Sequence, residues 1–254
     1  MAINVNTVYQ TVLMILNKEQ RGYMTPTEFN TVATQVQLEI FEKYFDDLNQ
    51  QLRIPQADTD YADRQENIDE KMAIFKTFGV PIYKALGATP NTNLSYWDLP
   101  VQDSYSETVV FYRLGTVLYN NDKIVQRLDR SDFYYVDRSK LTKPTKLNPI
   151  YLYENKKLFI KPDNIISDIT VDYMRKPNEV IWGFTPGGLG QYNYNSDTYD
   201  STTKQGSISF ELHESEQTEV ILKILLYSGI IIRDPEVVQT AAALVQAEET
   251  NKKS

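Results

Sequence analysis

The spacing of apolar residues changes twice along this 254-residue chain, and that change restricts the fold more than any other feature. Apolar side chains recur every three or four residues up to about residue 78. From about residue 107 the chain is rich in β-branched and aromatic residues, and helical spacing returns after residue 214. A period near 3.6 indicates amphipathic helices, and a period of two indicates strands. The pattern predicts an α+β fold, with a helical bundle formed by the N- and C-terminal segments and a small, mainly antiparallel β-sheet between them.

The best-defined helix begins at the sequence MTPTEF. Thr25 can cap it, Pro26 suits its first position, and Glu28 completes a capping box. Met24 and Phe29 stand where a hydrophobic staple belongs. We expect a long buried stripe to follow, formed by Phe29, Val32, Ala33, Val36, Ile40, Tyr44, Leu48 and Leu52.

Other helices are predicted on both sides of this one. Thr7–Lys18 offers a first helix, and the apolar spacing of Tyr61–Phe78 predicts one that stops at Gly79. Two helices should close the chain after residue 213. The last of them is expected to have Asp234 as its cap and Pro235 in its first turn.

The middle of the sequence predicts strands. TVVFYRLGTVLY and KIVQRL, separated by residues 120–122, indicate one hairpin. IYLY and LFIKP, with a turn near Asn155, indicate a second hairpin, and DITVDYMRKP adds a strand. We expect these four or five strands to form one sheet. Residues 183–206 have no apolar period and predict a long loop, after which SISFEL predicts a short strand.

These elements divide the chain into three regions. We predict an N-terminal helical region over residues 1–100 and a β-sheet region over residues 101–213, which includes the long loop 183–206. Residues 214–254 should form C-terminal helices that pack on the N-terminal helices. No internal repeat of the solenoid kind is found in the sequence.

The charge and the cysteine content argue against several classes of protein. A net charge of −8 disfavours a surface that wraps nucleic acid, because such surfaces collect Lys and Arg. The lack of cysteine removes thiolate nucleophiles, disulfides and Cys-containing zinc sites. The N-terminal sequence lacks a basic leader, and the longest apolar run, Val220–Ile232, contains Lys223. We therefore expect no signal peptide and no membrane span.

His213 is the only histidine, and it lies among glutamates in the sequence HESEQTEV. A zincin motif needs a second histidine four residues later, where this chain has Gln217. We therefore predict no metal site and no catalytic histidine. Instead we expect Ser215 to cap a helix whose first turn carries Glu216 and Glu219, with His213 exposed just outside it.

Other short motifs are incomplete. GGLG, residues 187–190, lacks the Lys–Ser/Thr pair of a phosphate-binding loop. DTDYAD, residues 58–63, lacks the glycine of a calcium loop and is expected to cap the helix through Met72. Catalytic carboxylate pairs are defined by distance in space, so a carboxylate-based hydrolase with residues 183–206 as a lid stays an alternative. We predict no cofactor and expect that the chain is not an enzyme.

Tyrosine is unusually frequent, with 18 Tyr against 10 Phe and 2 Trp. Its ring buries apolar area while its hydroxyl finds a polar partner, which suits protein interfaces. Tyr192, Tyr194 and Tyr199 alternate with Asn, Ser and Asp, as in antibody contact loops. They are the candidate partner-contact residues. The alternative is a solvated loop without a partner.

Four segments carry a resemblance to a known class of proteins. GYMTPTEFNTVATQVQLEIFEKYF resembles the N-terminal helical hairpin of structural proteins encoded beside the portal in tailed bacteriophages, including crAss-like phages. Three later segments are similar to the middle sheet and closing helices of head-to-tail connector proteins, or neck ring proteins, of short-tailed phages. They are PIYLYENKKLFIKPDN, ITVDYMRKPNEVIW and FELHESEQTEVILKILLYSGIIIRDPEVVQ.

The resemblance implies a virion structural protein at the portal vertex, in the neck or tail, assembled in the host cytoplasm. Such portal adaptor proteins form homo-oligomeric rings, commonly twelvefold, that bind the portal protein and a downstream tail or ring protein. DNA would pass through the ring without specific binding, and an acidic channel lining would favour such passage. A tail hub or a capsid-associated protein is the alternative within the virion.

Overall fold

The computed structural model describes residues 2–18, 24–51, 64–85, 95–100, 110–188, 191–232 and 235–253. Over these residues the protein is mixed α/β, with six α-helices. They are α1 (Val5–Lys18), α2 (Pro26–Gln51), α3 (Arg64–Ala73), α4 (Arg130–Arg138), α5 (Gln217–Ile232) and α6 (Pro235–Lys253). A single 3₁₀ turn, Glu214–Glu216, precedes α5.

Thirteen β-strands, most of them short, occur in the same described ranges. They are β1 (Ala2–Ile3), β2 (Lys76–Gly79), β3 (Ile82–Lys84), β4 (Tyr96–Asp98), β5 (Phe111–Tyr119), β6 (Lys123–Ile124), β7 (Gln126–Arg127), β8 (Ile150–Glu154), β9 (Lys157–Lys161), β10 (Ile169–Arg175), β11 (Phe184–Pro186), β12 (Tyr192–Tyr194) and β13 (Phe210–His213). They form four sheets, and β7 with β8 is the parallel pair among otherwise antiparallel neighbours.

The predicted start of α2 is confirmed. Thr25 donates from its backbone N–H and from its hydroxyl to the Glu28 carboxylate, at 2.9 and 2.7 Å. The Glu28 N–H donates back to the Thr25 hydroxyl at 3.3 Å, which completes the capping box. These bonds lower the pKa of Glu28 from its ordinary value. Met24 and Phe29 are both buried, as a staple requires.

The predicted stripe of α2 faces a core. Six of its eight residues are buried, from Phe29 to Tyr44, and Leu48 is half-buried. Leu52 lies outside the described residues. This face packs against α5, and α2 also packs against α3. Within the described ranges, no helix combines the length and the apolar character needed to cross a bilayer.

Two other helix starts follow from local bonds. α1 begins at Val5, two residues before the predicted start, because the Asn4 side-chain oxygen accepts from the N–H groups of residues 6 and 7 at 2.8 and 3.2 Å. α6 begins at Pro235, as expected. The proposed caps Asp234 and residues 58–63 lie outside the described part of the chain.

The chain separates into two compact units. Unit 1 combines Met1–Ile74 with Pro177–Ser254, and unit 2 is Phe75–Lys176. Unit 1 holds α1 to α3, α5 and α6, together with the paired strands β11 and β12. In this unit α5 packs against α1, α2 and α6. Unit 2 holds α4 and the strands β2 to β10.

Unit 2 contains two sheets, so the prediction of one small sheet is wrong. One sheet has the strand order β2–β10–β5–β6, and the other has the order β3–β4–β9–β8–β7. Both contribute to one core, which includes the buried residues Trp97, Val117, Tyr151, Leu158, Ile160, Ile169 and Val171. A hairpin pattern identifies which consecutive strands pair but not which sheet the hairpin joins.

Both predicted hairpins are confirmed. β5 pairs with β6 through a turn in which Asn120 and Asn121 have φ of 53° and 55°. β8 pairs with β9 through Asn155 and Lys156, with φ of 50° and 58°. The β8–β9 turn has two residues, and their successive positive φ values match the twist of antiparallel strands, whereas the β5–β6 turn has three residues, 120–122. Asn tolerates positive φ better than most residues.

The predicted helix over Tyr61–Phe78 is too long at its C-terminal end. α3 stops at Ala73, and Lys76–Gly79 form a strand that pairs with β10. Phe75, between the two elements, is fully buried. The spacing between Met72 and Phe75 therefore predicts burial correctly but does not indicate a helix. Residues Lys76–Gly79 are extended because they pair with β10, a strand almost a hundred residues away in sequence.

Residues 183–206 are not a structureless loop, which corrects the prediction. β11 and β12 pair from Phe184↔Tyr194 to Pro186↔Tyr192. The Gly187 N–H donates to the Gln191 carbonyl at 2.7 Å beside the turn. The strands are three residues long and carry Tyr, Asn and Thr, so they lack the aliphatic alternation that predicts a strand.

Candidate functional site

His213 begins a helix. Its Nδ1 accepts a hydrogen bond from the Ser215 N–H at 3.3 Å and lies 2.9 Å from the Ser215 hydroxyl. The prediction that Ser215 would be the cap is therefore wrong, and His213, which is half-buried, is the cap of the 3₁₀ turn before α5. Its extended backbone at the end of β13 suits that position. Among the described residues, no group of three or more Asp, Glu or His is placed to hold a metal ion.

The glutamates after His213 face the interior of unit 1. Glu216 and Glu219 are each 2% exposed. Lys71 of α3 forms an ion pair with Glu216, while Lys43 of α2 lies 3.0 Å from Glu219. Lys223, one turn along α5, also lies 3.6 Å from Glu219. The sequence predicted that these glutamates lie at the start of a helix. No local sequence pattern identifies the lysines of α2 and α3 as their partners.

This buried cluster joins helices rather than forming a reactive site. Each buried carboxylate is engaged by at least one lysine, which offsets the cost of removing the charge from water. The Tyr44 hydroxyl is buried beside them and has no hydrogen-bond partner among the described residues. Burial, and then the charges of Glu216 and Glu219, raise the pKa of Tyr44, so this phenol keeps its proton.

In unit 1, hydrogen bonds from α2 hold the backbone of residues 178–182 and so position Trp182. This extended segment lies along α2, and polar side chains of α2 bind its backbone at alternate residues. Gln37 donates to the carbonyl of residue 178 at 2.7 Å, Thr34 accepts from the N–H of residue 180 at 3.1 Å, and Asn30 accepts from the N–H of Trp182 at 2.8 Å. These three residues share one helix face because they are spaced by four and three positions.

Trp182 is the centre of an aromatic cluster. Tyr9 of α1 packs on it with ring centroids 4.4 Å apart, and the Tyr194 ring stacks at 5.6 Å and 27°. Phe184 stacks at 6.1 Å and meets Tyr192 edge-on at 4.9 Å. Such aromatic pairs add about 0.5–1.5 kcal/mol each beyond the area they bury. The hairpin is therefore held on α1 through one buried indole.

A pocket of about 360 Å³ lies between α1 and the hairpin. We call it the aromatic pocket. Its lining residues are Asn6, Tyr9, Gln10, Leu13, Trp182, Tyr192, Asn193 and Tyr194. Within this described lining there is no carboxylate, imidazole, ammonium group, thiol or aliphatic hydroxyl. The lining offers aromatic faces and side-chain amides, which recognise neutral groups such as aromatic side chains and peptide bonds.

The aromatic pocket includes two of the three predicted contact residues. Tyr192, which is 40% exposed, and Tyr194 line it, whereas Tyr199 is half-buried and does not. Sequence reasoning missed the wall supplied by α1. Asn6, Tyr9, Gln10 and Leu13 are spaced as i, i+3, i+4 and i+7, so their common face was visible in the sequence. Nothing in the sequence linked that face to the hairpin.

Comparison with the models of known protein families and with curated proteins gives no match for this chain. The function is therefore argued from the residues, the geometry and the resemblance in the four segments.

Proposed function

We propose that the chain is a structural subunit of a tailed-bacteriophage virion, which forms an oligomeric ring at the portal vertex, joins capsid to tail and extends the DNA channel. The observation that carries the proposal is the chemistry of the aromatic pocket. Its lining provides contact surfaces, and the described lining provides no acid, base or nucleophile stronger than a phenol. The resemblance of the four segments supplies the particular assembly.

A ring subunit needs two different surfaces, because each copy contacts its neighbours head to tail. In this proposal a helical bundle from both chain ends, with the sheet region between its segments, forms the body of the subunit. The aromatic pocket, with Tyr192 at its rim, is one contact surface. It would receive an apolar or aromatic side chain of the portal protein or of a neighbouring copy.

Exposed apolar side chains favour assembly over a solitary enzyme. Phe78, Val80 and Ile82 lie close together in sequence and are 50%, 69% and 53% exposed. Contiguous apolar side chains at the surface are typical of protein interaction sites. The alternative of a tail hub or a capsid-associated protein would use the same features at another place in the virion.

The net charge of −8 supports passage of DNA without binding. A channel lined by carboxylates repels phosphates, so a duplex would slide past without being retained. The ring would then bind the portal protein and a downstream tail or ring protein while DNA remained a transient occupant.

The carboxylate-based hydrolase is disfavoured by the position of the hairpin. The segment proposed as its lid lies over a pocket whose described lining contains no carboxylate. Retaining and inverting glycosidases both need two carboxyl groups within about 10 Å of each other across the bond they cleave. A binding role, by contrast, needs only the side-chain amides and aromatic rings that line the aromatic pocket.

The test is native mass spectrometry of the purified chain, alone and with the portal protein. We expect a ring or a portal complex for the natural sequence. Tyr192→Ala should weaken assembly by about tenfold, because tyrosine is enriched among the interface residues whose truncation costs more than about 1 kcal/mol. Ile166→Ala, which changes an exposed apolar side chain in unit 2, is the matched control and should assemble normally.

The proposal would be overturned by three results together. The chain would stay monomeric with and without the portal protein, be missing from purified virions, and hydrolyse a glycan or a peptide. Immunogold labelling of virions separates the portal vertex from the tail tip and the capsid shell, and so distinguishes the alternatives within the virion.

A further inference from the structure

Charge is divided unequally along the chain. Residues 75–176 contain 15 of the 26 Lys and Arg but only 11 of the 34 Asp and Glu, which gives a formal charge of +4. The rest of the chain carries −12. This division coincides with the two compact units, so an acidic protein contains one basic unit. Surfaces of opposite charge on one chain are complementary between copies.

The positive charge of unit 2 is concentrated in residues 138–148, which we call the basic loop. It connects α4 to β8, and no acidic residue occurs between Asp137 and Glu154. Its four cations are exposed, and none of them forms an ion pair with another described residue. They are Arg138, Lys140, Lys143 and Lys146. The loop therefore presents a concentrated charge that no ion pair within the described residues neutralises.

Large apolar side chains stand among these cations. Leu141 is 95% exposed and Leu147 is 70% exposed, and Tyr135, in the last turn of α4, is 74% exposed. Aromatic and arginine side chains are enriched at protein contacts, in which apolar groups are buried and complementary charges give specificity.

The basic loop is ordered by its own bonds. The Ser139 hydroxyl accepts from the N–H groups of Leu141 and Thr142 at 3.3 and 3.2 Å. Thr145 and Asn148 exchange backbone hydrogen bonds at 3.4 and 3.1 Å. The prolines at positions 144 and 149 are buried and anchor the loop. Because the loop is already ordered, docking it costs less conformational entropy.

Unit 1 carries the complementary surface, on α2 and α3, which pack together. Six exposed carboxylates lie on these two helices, and we call four of them the acidic face: Glu42 and Asp46, one turn apart on α2, and Glu66 and Glu70, one turn apart on α3. The neighbouring cations Lys43 and Lys71 each bind a buried carboxylate, Glu219 and Glu216. The exposed charged side chains that the structure describes on the helix pair are all acidic.

We propose that the basic loop of one copy docks on the acidic face of a second copy, which forms the head-to-tail contact between neighbours. This inference rests on the proposed ring-forming function and names the surfaces that build the ring. The two surfaces differ and lie on the same chain, so each copy binds one neighbour through its basic loop and another neighbour through its acidic face. Repetition of such a heterologous contact closes a ring when the rotation allows it.

A second copy fits the basic loop better than a polyanion does. Phosphates would pair with the lysines but leave Leu141 and Leu147 in water. A protein surface satisfies both the charge and the apolar side chains.

The test is a charge-swap series, measured by sedimentation velocity over a range of protein concentrations. The loop variant is Lys143→Glu with Lys146→Glu, and the face variant is Glu66→Lys with Glu70→Lys. The swap variant combines all four changes. The control, Lys156→Glu with Lys176→Glu, makes the same change in the charge of unit 2 at exposed positions outside the loop.

We expect the loop variant and the face variant each to weaken self-association by about tenfold or more, since close charge pairs across an interface are strongly coupled. The swap variant should recover self-association, and the control should match the natural chain. Leu141→Ser with Leu147→Ser should weaken association without a change in charge. Circular dichroism of every variant checks that the secondary structure is retained.

Several outcomes would overturn the inference. They are a natural chain that remains monomeric at every concentration, a loop variant that associates normally, and a swap variant that does not recover. Binding of the natural chain to a short DNA duplex or to phosphatidylglycerol vesicles, lost in the loop variant while self-association is unchanged, would assign the loop to a polyanion or a lipid surface instead.

Failure of this contact is distinguishable from failure of the proposed function. If the chain is present at the portal vertex of purified virions but the loop variant self-associates normally, only the proposed contact is overturned. If self-association requires the loop but the chain is missing from virions, the phage role is overturned and the proposed contact stands.

Discussion

Trp182 donates its indole N–H to the side-chain oxygen of Asn6 at 3.0 Å, across 176 positions of sequence. The bond connects α1 to the segment that continues into the β11–β12 hairpin. Because Tyr194 stacks on the same indole, the hydrogen bond also fixes one wall of the aromatic pocket. The position of a candidate contact residue therefore depends on a hydrogen bond between two other residues of the pocket wall.

Asn6→Leu should lower the free energy of unfolding by about 2 kcal/mol, because the buried Trp182 N–H loses its acceptor. Urea unfolding followed by tryptophan fluorescence measures the change. Gln10→Leu, on the same wall of the aromatic pocket but at an exposed position, is the matched control and should stay within about 0.5 kcal/mol of the natural chain. Equal losses in the two variants would contradict a specific role for the bond.

Gly206→Ala should destabilise the segment that follows the hairpin. Gly206 has φ of 98°, and a Cβ at this position would lie 2.5 Å from the Thr198 carbonyl oxygen. We expect a cost of about 2 kcal/mol, from backbone strain together with the clash. Faster hydrogen exchange of the Ser207 N–H, which donates to the Asp197 carbonyl at 2.8 Å, would report it.

Gly188→Ala provides the control for that substitution, because no described atom beyond the glycine and its two chain neighbours lies within 4 Å of a Cβ built there. It should leave exchange at Ser207 unchanged. If both alanine variants accelerated exchange equally, the effect would come from the loss of glycine in general and not from the geometry at Gly206.

Lys71→Met should destabilise unit 1 by about 3 kcal/mol, because Glu216 would remain charged in the interior without this partner. The double variant Lys71→Met with Glu216→Met should recover most of the loss, since two apolar side chains of similar size replace the pair. Chemical unfolding of the four chains in this mutant cycle measures the coupling. Lys204→Met, at an exposed position, controls for the loss of a lysine. A double variant as unstable as Lys71→Met would refute the ion-pair explanation.

The sequence predicted features that depend on local interactions. Thr25 and Glu28 are three positions apart, so the capping box at the start of α2 was identifiable from spacing alone. The same holds for the turn at Asn155, where the backbone needs positive φ. In these places the residues that specify the structure are neighbours along the chain.

Features that depend on distant partners were not predictable. Lys71 and Glu216 are 145 positions apart, and no local pattern in the sequence indicates that Glu216 is buried or that Lys71 is its partner. For the candidate site, composition identified Tyr192 and Tyr194, but only tertiary packing brings them to Asn6 on α1. A periodic pattern reports that a face is buried and leaves open what covers it.

Tyr227→Phe should make the protein less sensitive to alkaline pH. The Tyr227 hydroxyl donates a hydrogen bond to the Glu39 carboxylate, and this bond, with burial, raises the pKa of Tyr227 from 10.0 to about 12. Between about pH 10 and pH 12 the folded chain keeps a proton that the unfolded chain has lost. The contribution to stability is therefore fully present below pH 10 and is lost as pH rises through 12.

Urea unfolding of the natural chain and of Tyr227→Phe at stepped pH measures this difference. The two curves should converge as pH rises, because the natural chain alone loses the contribution of the bond. Lys223, 3.7 Å from the same carboxylate, is present in both chains, so its ion pair does not account for a difference between them. Tyr44, whose pKa is also raised, contributes to both curves in the same direction. A constant difference between the two chains from neutral pH to pH 12 would mean that Tyr227 stabilises the helices by packing and not through its proton.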